Sequence, residues 1–292
     1  MKILVTGSSG FLGKEVVKVL KSKKHSIIEY DIDKGKNILN EEQLTKEMQR
    51  AEVVIHLAGI VETGHQALWK INVDGTQKVA KAAIRAKVKK LIFMSSTGVY
   101  GFTKGGITEK SLVNPQNNYE KSKTAGEKIV LGICDKVEVC VIRSAMLFGA
   151  NEYWKKMFTM LEKKYPLPCA GENTFQIIYV KELARAIAQV LTKGKNGEIY
   201  LVAGKEKPTL NEFCELVQKE LKLKIGITHI PTWLGLVIGK ATNVKLLNAE
   251  NIRHLSKERK YNTTKIKKIG YKQKTSLKKA IKEVAKELKT KK

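Results

Sequence analysis

The sequence predicts an α/β fold: a doubly wound parallel sheet with a smaller C-terminal, substrate-binding lobe. Three observations carry that expectation. A glycine-rich turn joins an apolar strand to a helix within the first thirteen residues. Strand and helix patterns then alternate up to about residue 150. The notable residues Gly7, Asp31, Ala58 and Ser96 all fall where strands end, the place at which doubly wound sheets bind ligands.

The first strand is Ile3-Leu4-Val5, broken at Thr6-Gly7, and an amphipathic helix opens at Phe11-Leu12 with Leu12, Val16, Val19 and Leu20 on one face. Gly7 permits the tight turn out of the strand. Gly10 lets backbone approach a pyrophosphate, Gly13 lets helix and sheet pack closely, and the helix N-terminus offers free N–H groups to the anion. Residues 26–31 read as a second strand, 41–50 as a helix, and 53–57 as a third strand ending at Ala58-Gly59. A helix over 72–86 leads to a fourth strand, 90–94, that stops at Ser95-Ser96. A helix over 118–133 and a fifth strand over 137–142 complete the alternation. Beyond residue 150 the pattern loosens into a helix at 153–163, a strand at 175–180 followed by a helix, a strand at 198–203 and a helix at 210–221. The expected division is a nucleotide-binding domain, 1–150, with later segments returning to its sheet, and a region over 151–292 that is mainly substrate lobe and C-terminal helix.

Composition narrows the class. With 292 residues and 42% hydrophobic content the chain can bury a large core. It has no apolar run of about 18 residues to span a membrane, and it opens directly on a strand pattern, so no leader is expected. Cys134, Cys140, Cys169 and Cys214 lack CxxC spacing and sit in apolar contexts, which reads as reduced core thiols of a cytoplasmic protein. The five histidines are scattered, and no metal site is expected. The net charge of +27 is the odd feature, and residues 251–292 contribute 16 Lys/Arg against 3 acids. Leu277, Ile281, Val284, Ala285 and Leu288 recur there at helical spacing, the pattern of an ordinary amphipathic helix with its lysines outward. No aromatic-interleaved platform or zinc-finger spacing accompanies the charge, so the expected partner is a small molecule and not nucleic acid.

Two stretches carry chemistry. Asp31 lies 18 residues past Gly13 at a strand end, where a carboxylate accepts hydrogen bonds from ribose hydroxyls and repels a 2′-phosphate. No arginine follows it, which favours NAD over NADP, although Lys34 and Lys36 lie near. The second stretch is YEKSK, Tyr119 to Lys123, whose spacing of four puts phenol and ammonium on one helical face. A free tyrosine ionises near pH 10, at about 10. A neighbouring lysine and a cationic nicotinamide are expected to lower that value, so that Tyr119 exchanges a proton with a substrate oxygen. Ser96 is placed to hydrogen-bond the same oxygen.

These motifs together resemble an extended short-chain dehydrogenase/reductase of the NAD-dependent epimerase/dehydratase family. TGSSGFLG (6–13), VIHLAG (54–59), NVDGT (72–76), SSTGVYG (95–101), YEKSK (119–123) and Arg143 with Phe148-Gly149 carry the likeness. IIYVKELARAI (177–187) and the tail KIKKIGYKQKTSLKKAI extend it. The resemblance implies a Rossmann domain binding NAD and a catalytic set of Ser96, Tyr119 and Lys123, with Ser95 packing. The cofactor-binding set it implies is Gly7, Gly10, Phe11, Leu12, Gly13, Asp31, Ile32, Leu57, Ala58, Gly59, Tyr119 and Lys123. It also implies a homodimer formed through helices flanking the sheet, including the one that bears Tyr119.

Departures from the family pattern narrow the reaction. Thr97 and Gly98 stand where sugar 4,6-dehydratases carry acids, which argues against 4,6-dehydration. Met146 replaces an asparagine that grips the diphosphate in many UDP-sugar epimerases, Asn37 replaces an aspartate near the adenine, and Tyr179 replaces a common histidine. Three readings stay open. The preferred one is a nucleotide-sugar 4-epimerase or 4-keto reductase. The alternative is a dehydrogenase of a hydroxysteroid-like or other apolar alcohol, its pocket lined by Met146, the Trp154/Met157/Phe158 helix and the apolar 231–238 stretch. The third is a non-catalytic NAD-binding scaffold, against which the intact Ser96/Tyr119/Lys123 set argues.

Overall fold

The structure, a computed structural model, describes residues 1–103, 105–242, 252 and 255–290. Parts of the lysine-rich tail, residues 251, 253–254 and 291–292, therefore lie outside the described residues. Five strands from the first half form the body of one parallel sheet: β1 (Lys2–Thr6), β2 (Ser26–Tyr30), β3 (Val53–His56), β4 (Lys90–Ser96) and β5 (Glu138–Ser144). A sixth, β8 (Glu198–Val202), returns from the second half, giving the order β2-β1-β3-β4-β5-β8. Every pairing is parallel. The chain steps from β1 to one side for β2 and to the other for β3, so a crevice opens beyond the carboxyl ends of β1 and β3.

Helices cover both faces, which is why the strands are apolar on both sides and β3 is buried throughout. On one face α1 (Phe11–Ser22) packs against α6 (Val180–Lys193), with Val16, Val17 and Leu20 meeting Leu183 and Ile187 in the core. The buried stripe of α1 is Gly13, Val16, Val17 and Leu20, so Val17 takes the inward place expected of Val19. On the other face lie α2 (Glu41–Met48), α3 (Gly75–Arg85) and α4 (Asn118–Leu131). A separate core fills the lobe. There Phe148, Trp154 and Phe213 stack edge to face, with ring centroids 4.8 and 5.6 Å from Phe148, beneath α5 (Glu152–Glu162) and α7 (Leu210–Glu220).

The C-terminal segment is built into this body. Glu182 on α6 is fully buried and accepts hydrogen bonds from the Tyr271 hydroxyl (3.0 Å) and the Thr275 amide (2.7 Å), and it pairs with Arg185. The last helix, Leu277–Lys289, buries Ala280, Ile281, Val284, Ala285 and Leu288 and turns its lysines outward, as the spacing predicted.

The structure differs from the sequence reading at four places. The strand expected at 175–180 shrinks to β7 (Ile178–Tyr179). It pairs with β6 (Leu147–Phe148) outside the main sheet, because Phe175 is drawn into an isolated bridge with Arg259. The helix expected from 72 begins with a π-helical turn, Lys70–Asp74, and α3 proper starts at Gly75. Strand β2 ends at Tyr30, and Asp31 instead caps a 3-10 turn, Ile32–Lys34. Of the four free cysteines three are buried, while Cys134 is half-buried.

Candidate active site

The crevice is shaped first by backbone. Gly7 has φ +70° and donates to the Tyr30 carbonyl (2.9 Å). A Cβ there would lie 2.7 Å from the Ala58 nitrogen, so only glycine lets the β1 and β3 ends come together. A Cβ on Gly13 would stand 2.0 Å from the Gly7 carbonyl oxygen, so the loop folds back directly on α1. Gly10 caps α1 without a side chain, leaving the helix N-terminus open toward the crevice. The buried Ser8 hydroxyl has no protein partner.

Asp31 holds this loop from the β2 end. Its carboxylate accepts from the Ser9 amide (2.8 Å) and the Asp33 amide (3.1 Å). The two lysines nearby are engaged elsewhere: Lys34 pairs with Glu29 and Lys36 with Glu47, each at 3.0 Å. Neither is a spare cation for a 2′-phosphate. Asn37 turns its side-chain oxygen to the Leu39 amide (2.9 Å), and its carbonyl accepts from the Tyr30 hydroxyl (2.9 Å).

Beneath Ala58 runs a buried polar chain. The Ala58 amide donates to the Thr6 hydroxyl (3.3 Å), which lies 2.7 Å from His56 Nδ1. His56 Nε2 lies 3.0 Å from the Thr76 hydroxyl, which donates to the Asn72 carbonyl (2.7 Å). That order of donors leaves the proton on Nε2 and the ring neutral. Burial, with the Lys123 charge adding to it, holds the His56 pKa down at about 3. The Asn72 side chain clamps the following loop, accepting from the Ile60 amide (2.7 Å) and donating to the Ile60 carbonyl (2.9 Å) and the Ser122 hydroxyl (3.0 Å). The NVDGT motif marked Asn72 in the sequence but gave no hint of this clamp.

Ser96 ends β4, and Tyr119 lies in the first turn of α4, which Asn117 caps by accepting from the Glu120 amide (2.8 Å). The Ser96 hydroxyl lies close enough to the Tyr119 phenol to favour its ionised form. One turn on, the Lys123 ammonium donates to the Met94 carbonyl (3.0 Å) and sits 6.0 Å from the Tyr119 ring centre. The structure thus brings Ser96, Tyr119 and Lys123 together. Helix α4 is fixed behind them by Glu127, which accepts from Ser95 (2.5 Å) and from Arg143 at two atoms (2.9 and 2.6 Å). Arg143 also donates to the Tyr100 hydroxyl (2.9 Å). Ser95 therefore faces this buried pair.

The expected lowering of the phenol involves a cationic nicotinamide as well as Lys123, and without that cation the direction is the opposite one. In the protein alone the Tyr119 phenol is pushed up to about 12, because burial outweighs the hydrogen bond from Ser96 and the Glu120 charge adds to the rise. Burial also lowers Lys123, to about 8, against the opposing pull of Glu127. The lysine's charge is directed to the Met94 carbonyl and Glu127, and in the protein alone Tyr119 holds its proton at neutral pH.

One cavity of about 1410 Å³ joins these parts. Gly7, Gly10, Phe11, Leu12, Gly13, Asp31, Ile32, Leu57, Ala58 and Gly59 line it, as do Ser96, Tyr119 and Lys123. Met146 and Trp154 also reach it, but Met157 and Phe158 are packed into the lobe core. The 231–238 stretch, expected on the cavity wall, does not border it, because α8 (Thr232–Thr242) lies on the outside of the lobe and exposes Trp233 and Val237. Lys257 and Arg259 do line the cavity, and the sequence reading passed over both as members of a basic tail. The bridges Phe175↔Arg259 and Ile107↔Tyr261 carry that segment back to the site. Burial and the Arg259 charge lower Lys257 to about 8, with Glu120 opposing. Tyr179, in place of the family's common histidine, donates to Glu283 (2.8 Å) and so ties β7 to the last helix. Among the described residues no group of His, Cys, Asp and Glu is arranged to hold a metal ion, and no helix is long and apolar enough to cross a membrane.

Glycine loop, Asp31 and the Ser96/Tyr119/Lys123 set now stand in one crevice at the ends of parallel strands. Residues 3–203 match the model of the NAD dependent epimerase/dehydratase family, and the chain belongs to that family. It is 28% identical over 249 residues to a dTDP-D-glucose 4,6-dehydratase of Dictyostelium discoideum, covering 68% of this chain but only 57% of that longer protein. It is 24% identical over 297 residues to the N-acetyl-alpha-D-glucosaminyl-diphospho-ditrans,octacis-undecaprenol 4-epimerase of Escherichia coli O157:H7, covering 92% and 89% of the two chains. The fold is shared with the UDP-glucuronic acid 4-epimerase of Bacillus cereus, solved with UDP-glucuronic acid and NAD. That match has a TM-score of 0.81 and 21% identity, and covers both chains completely.

Proposed function

We propose that this chain is an NAD-dependent epimerase or 4-keto reductase acting on the hydroxyl or keto group of a nucleotide sugar. The observation that carries the reading is the continuity of the cavity, which runs from the glycine loop and Asp31, past Ser96 and Tyr119, to the cationic pair Lys257 and Arg259. The first part fits NAD: glycines that bar a Cβ, an open helix N-terminus and a ribose-facing carboxylate whose neighbouring lysines are neutralised. The far part fits a diphosphate, for which Lys257 and Arg259 supply the charge that Met146 does not. Bound NAD supplies the acceptor and donor of a hydride. Ser96 orients the substrate oxygen, and Tyr119 gives up or takes its proton. Lys123 supports the phenolate, and in this reading also the cofactor ribose. On this view residues 1–150 are the NAD-binding domain and 151–292 mainly the substrate lobe, in a cytoplasmic homodimer.

A second reading, dehydrogenation of an apolar alcohol, draws support from Met146, Leu147 and Trp154 on the same cavity wall. One experiment separates the two. The purified protein is denatured, the released nucleotide is assayed, and melting is followed with UDP, dTDP, GDP, NAD and NADP. Retained NAD with a shift from one nucleoside diphosphate is expected, since a ligand of the native state raises the melting temperature by mass action. An empty protein shifted by NAD alone would overturn the nucleotide-sugar reading in favour of a freely exchanging dehydrogenase. Tyr119→Phe is expected to keep the NAD shift while losing about a hundredfold or more in turnover. An unchanged rate would remove Tyr119 from the reaction.

A further inference from the structure

Helix α8 is unusual for this chain. Its sequence, TWLGLVIGKAT, is the most apolar of the described helices, yet Trp233 is 66% and Val237 55% exposed. These two stand four residues apart and so share one face. Gly235, between them, is turned inward against Pro168, where a Cβ would lie 2.4 Å from the proline ring. Two more large apolar side chains are exposed on the paired segments that precede the helix. Leu167 is bonded to Thr228 and Ile230 (both 2.9 Å), which sets the strip around Tyr165 alongside the strip leading into α8. Tyr165 is 54% and Ile225 47% exposed. The Gln218 side chain holds the Gly226 turn in place through both of its polar ends (3.0 and 3.3 Å).

Lysines surround this apolar strip. Lys163 and Lys164 precede Tyr165, and Lys219, Lys222 and Lys224 precede Ile225; all five are exposed. Only Glu162 and Glu220 oppose them along the same two segments. An exposed aromatic and aliphatic face with ammonium groups on the neighbouring segments combines the two attractions, apolar insertion and charge, that bind proteins to anionic membrane surfaces. A second copy docked on this same face would set its lysines against their own copies. An anionic bilayer instead attracts the lysines and takes up the indole and aliphatic side chains at its headgroup boundary.

We infer that the outer face of the lobe, Trp233 and Val237 on α8 with the exposed Tyr165 and Ile225 on the segments paired through Leu167, docks on anionic phospholipid surfaces. The face lies apart from the cavity, so docking leaves the crevice free. Co-sedimentation of the full-length protein with phosphatidylcholine vesicles, with and without phosphatidylglycerol, tests it at about 50 mM salt. Wild type is expected to pellet with the anionic vesicles and not with the neutral ones. The double variant Trp233→Ser/Val237→Ser and, separately, Lys222→Glu/Lys224→Glu are each expected to bind about tenfold or more weakly at unchanged melting temperature. In a Trp69→Phe background, the emission of Trp233 is expected to shift to the blue on anionic vesicles. Absence of anionic binding overturns the inference. So does binding that survives Trp233→Ser/Val237→Ser, which would assign the attraction to the general lysine coat. A soluble dimer that this double variant splits into monomers, with no vesicle binding in wild type, would give the face to a second copy instead.

Discussion

Between Thr6 and Thr76, His56 serves as a neutral bridge, with its proton on Nε2 and its Nδ1 accepting from Thr6. Unfolded, the ring titrates near its ordinary value of 6.5; folded, burial holds it at about 3. Below pH 6.5 the unfolded chain binds a proton that the folded chain refuses. This contribution to stability is therefore complete above pH 6.5 and is lost progressively as the pH falls toward 3. At pH 5 the loss amounts to about 2 kcal/mol. Urea unfolding at pH 7.5 and pH 5 should show this dependence in wild type and not in His56→Gln, even though the variant is less stable at both values. An equal pH dependence in the two proteins would mean that His56 does not titrate as argued. His56 stood inside a recognisable motif, but its role was not legible, because both of its partners lie on other elements. Ser96, Tyr119 and Lys123 were legible, since a four-residue helical spacing and a strand end place them without knowledge of the rest. The rise of the Tyr119 pKa in the protein alone was not, because spacing reports neighbours and says nothing of how far water is kept away.

Helix α4 owes its position to an ion pair more than to its own amphipathicity. Glu127 and Arg143 are almost fully buried and meet at two atoms, joining the helix to β5, while Ser95 joins it to β4. Replacing Glu127 by Gln would leave a buried guanidinium without its counter-charge, at a cost of about 3–5 kcal/mol. The expected result is a melting temperature lowered by many degrees. The double variant Glu127→Gln/Arg143→Met should recover part of that loss, because it removes the stranded charge as well. If the double variant is no better than the single, the penalty lies in packing and not in charge. Strand and helix patterns were legible for every element of the main sheet, whose segments carry strong local periodicity. The β6–β7 pair and the π-helical turn were not, since each is set by a distant neighbour. Lys257 and Arg259 reach the cavity only through bridges to residues 175 and 107, and in a lysine-rich sequence nothing local marks them out.

Among the described residues the basic tail is part of the packed body, tied to α6 through Glu182 and to the lobe through the last helix. The parallel sheet also crosses the proposed domain boundary at residue 150. A fragment of residues 1–150 would leave the β5 edge bare, with the backbone groups of an apolar strand exposed to other chains. Such a fragment is expected to aggregate, and a fragment of residues 1–205, which retains α6 and β8, to give more soluble protein at equal expression. Equal solubility would show that β5 closes the sheet well enough by itself. The position of β8 has a counterpart during translation. When β5 leaves the ribosome its pairing partner has not yet been synthesised, so the nascent sheet waits with one side open while the intervening α5, β7 and α6 emerge. The order of synthesis thus makes the β5 edge the last part of the sheet to be sealed, and a pause in translation shortly before residue 198 is where a chaperone would have most to protect.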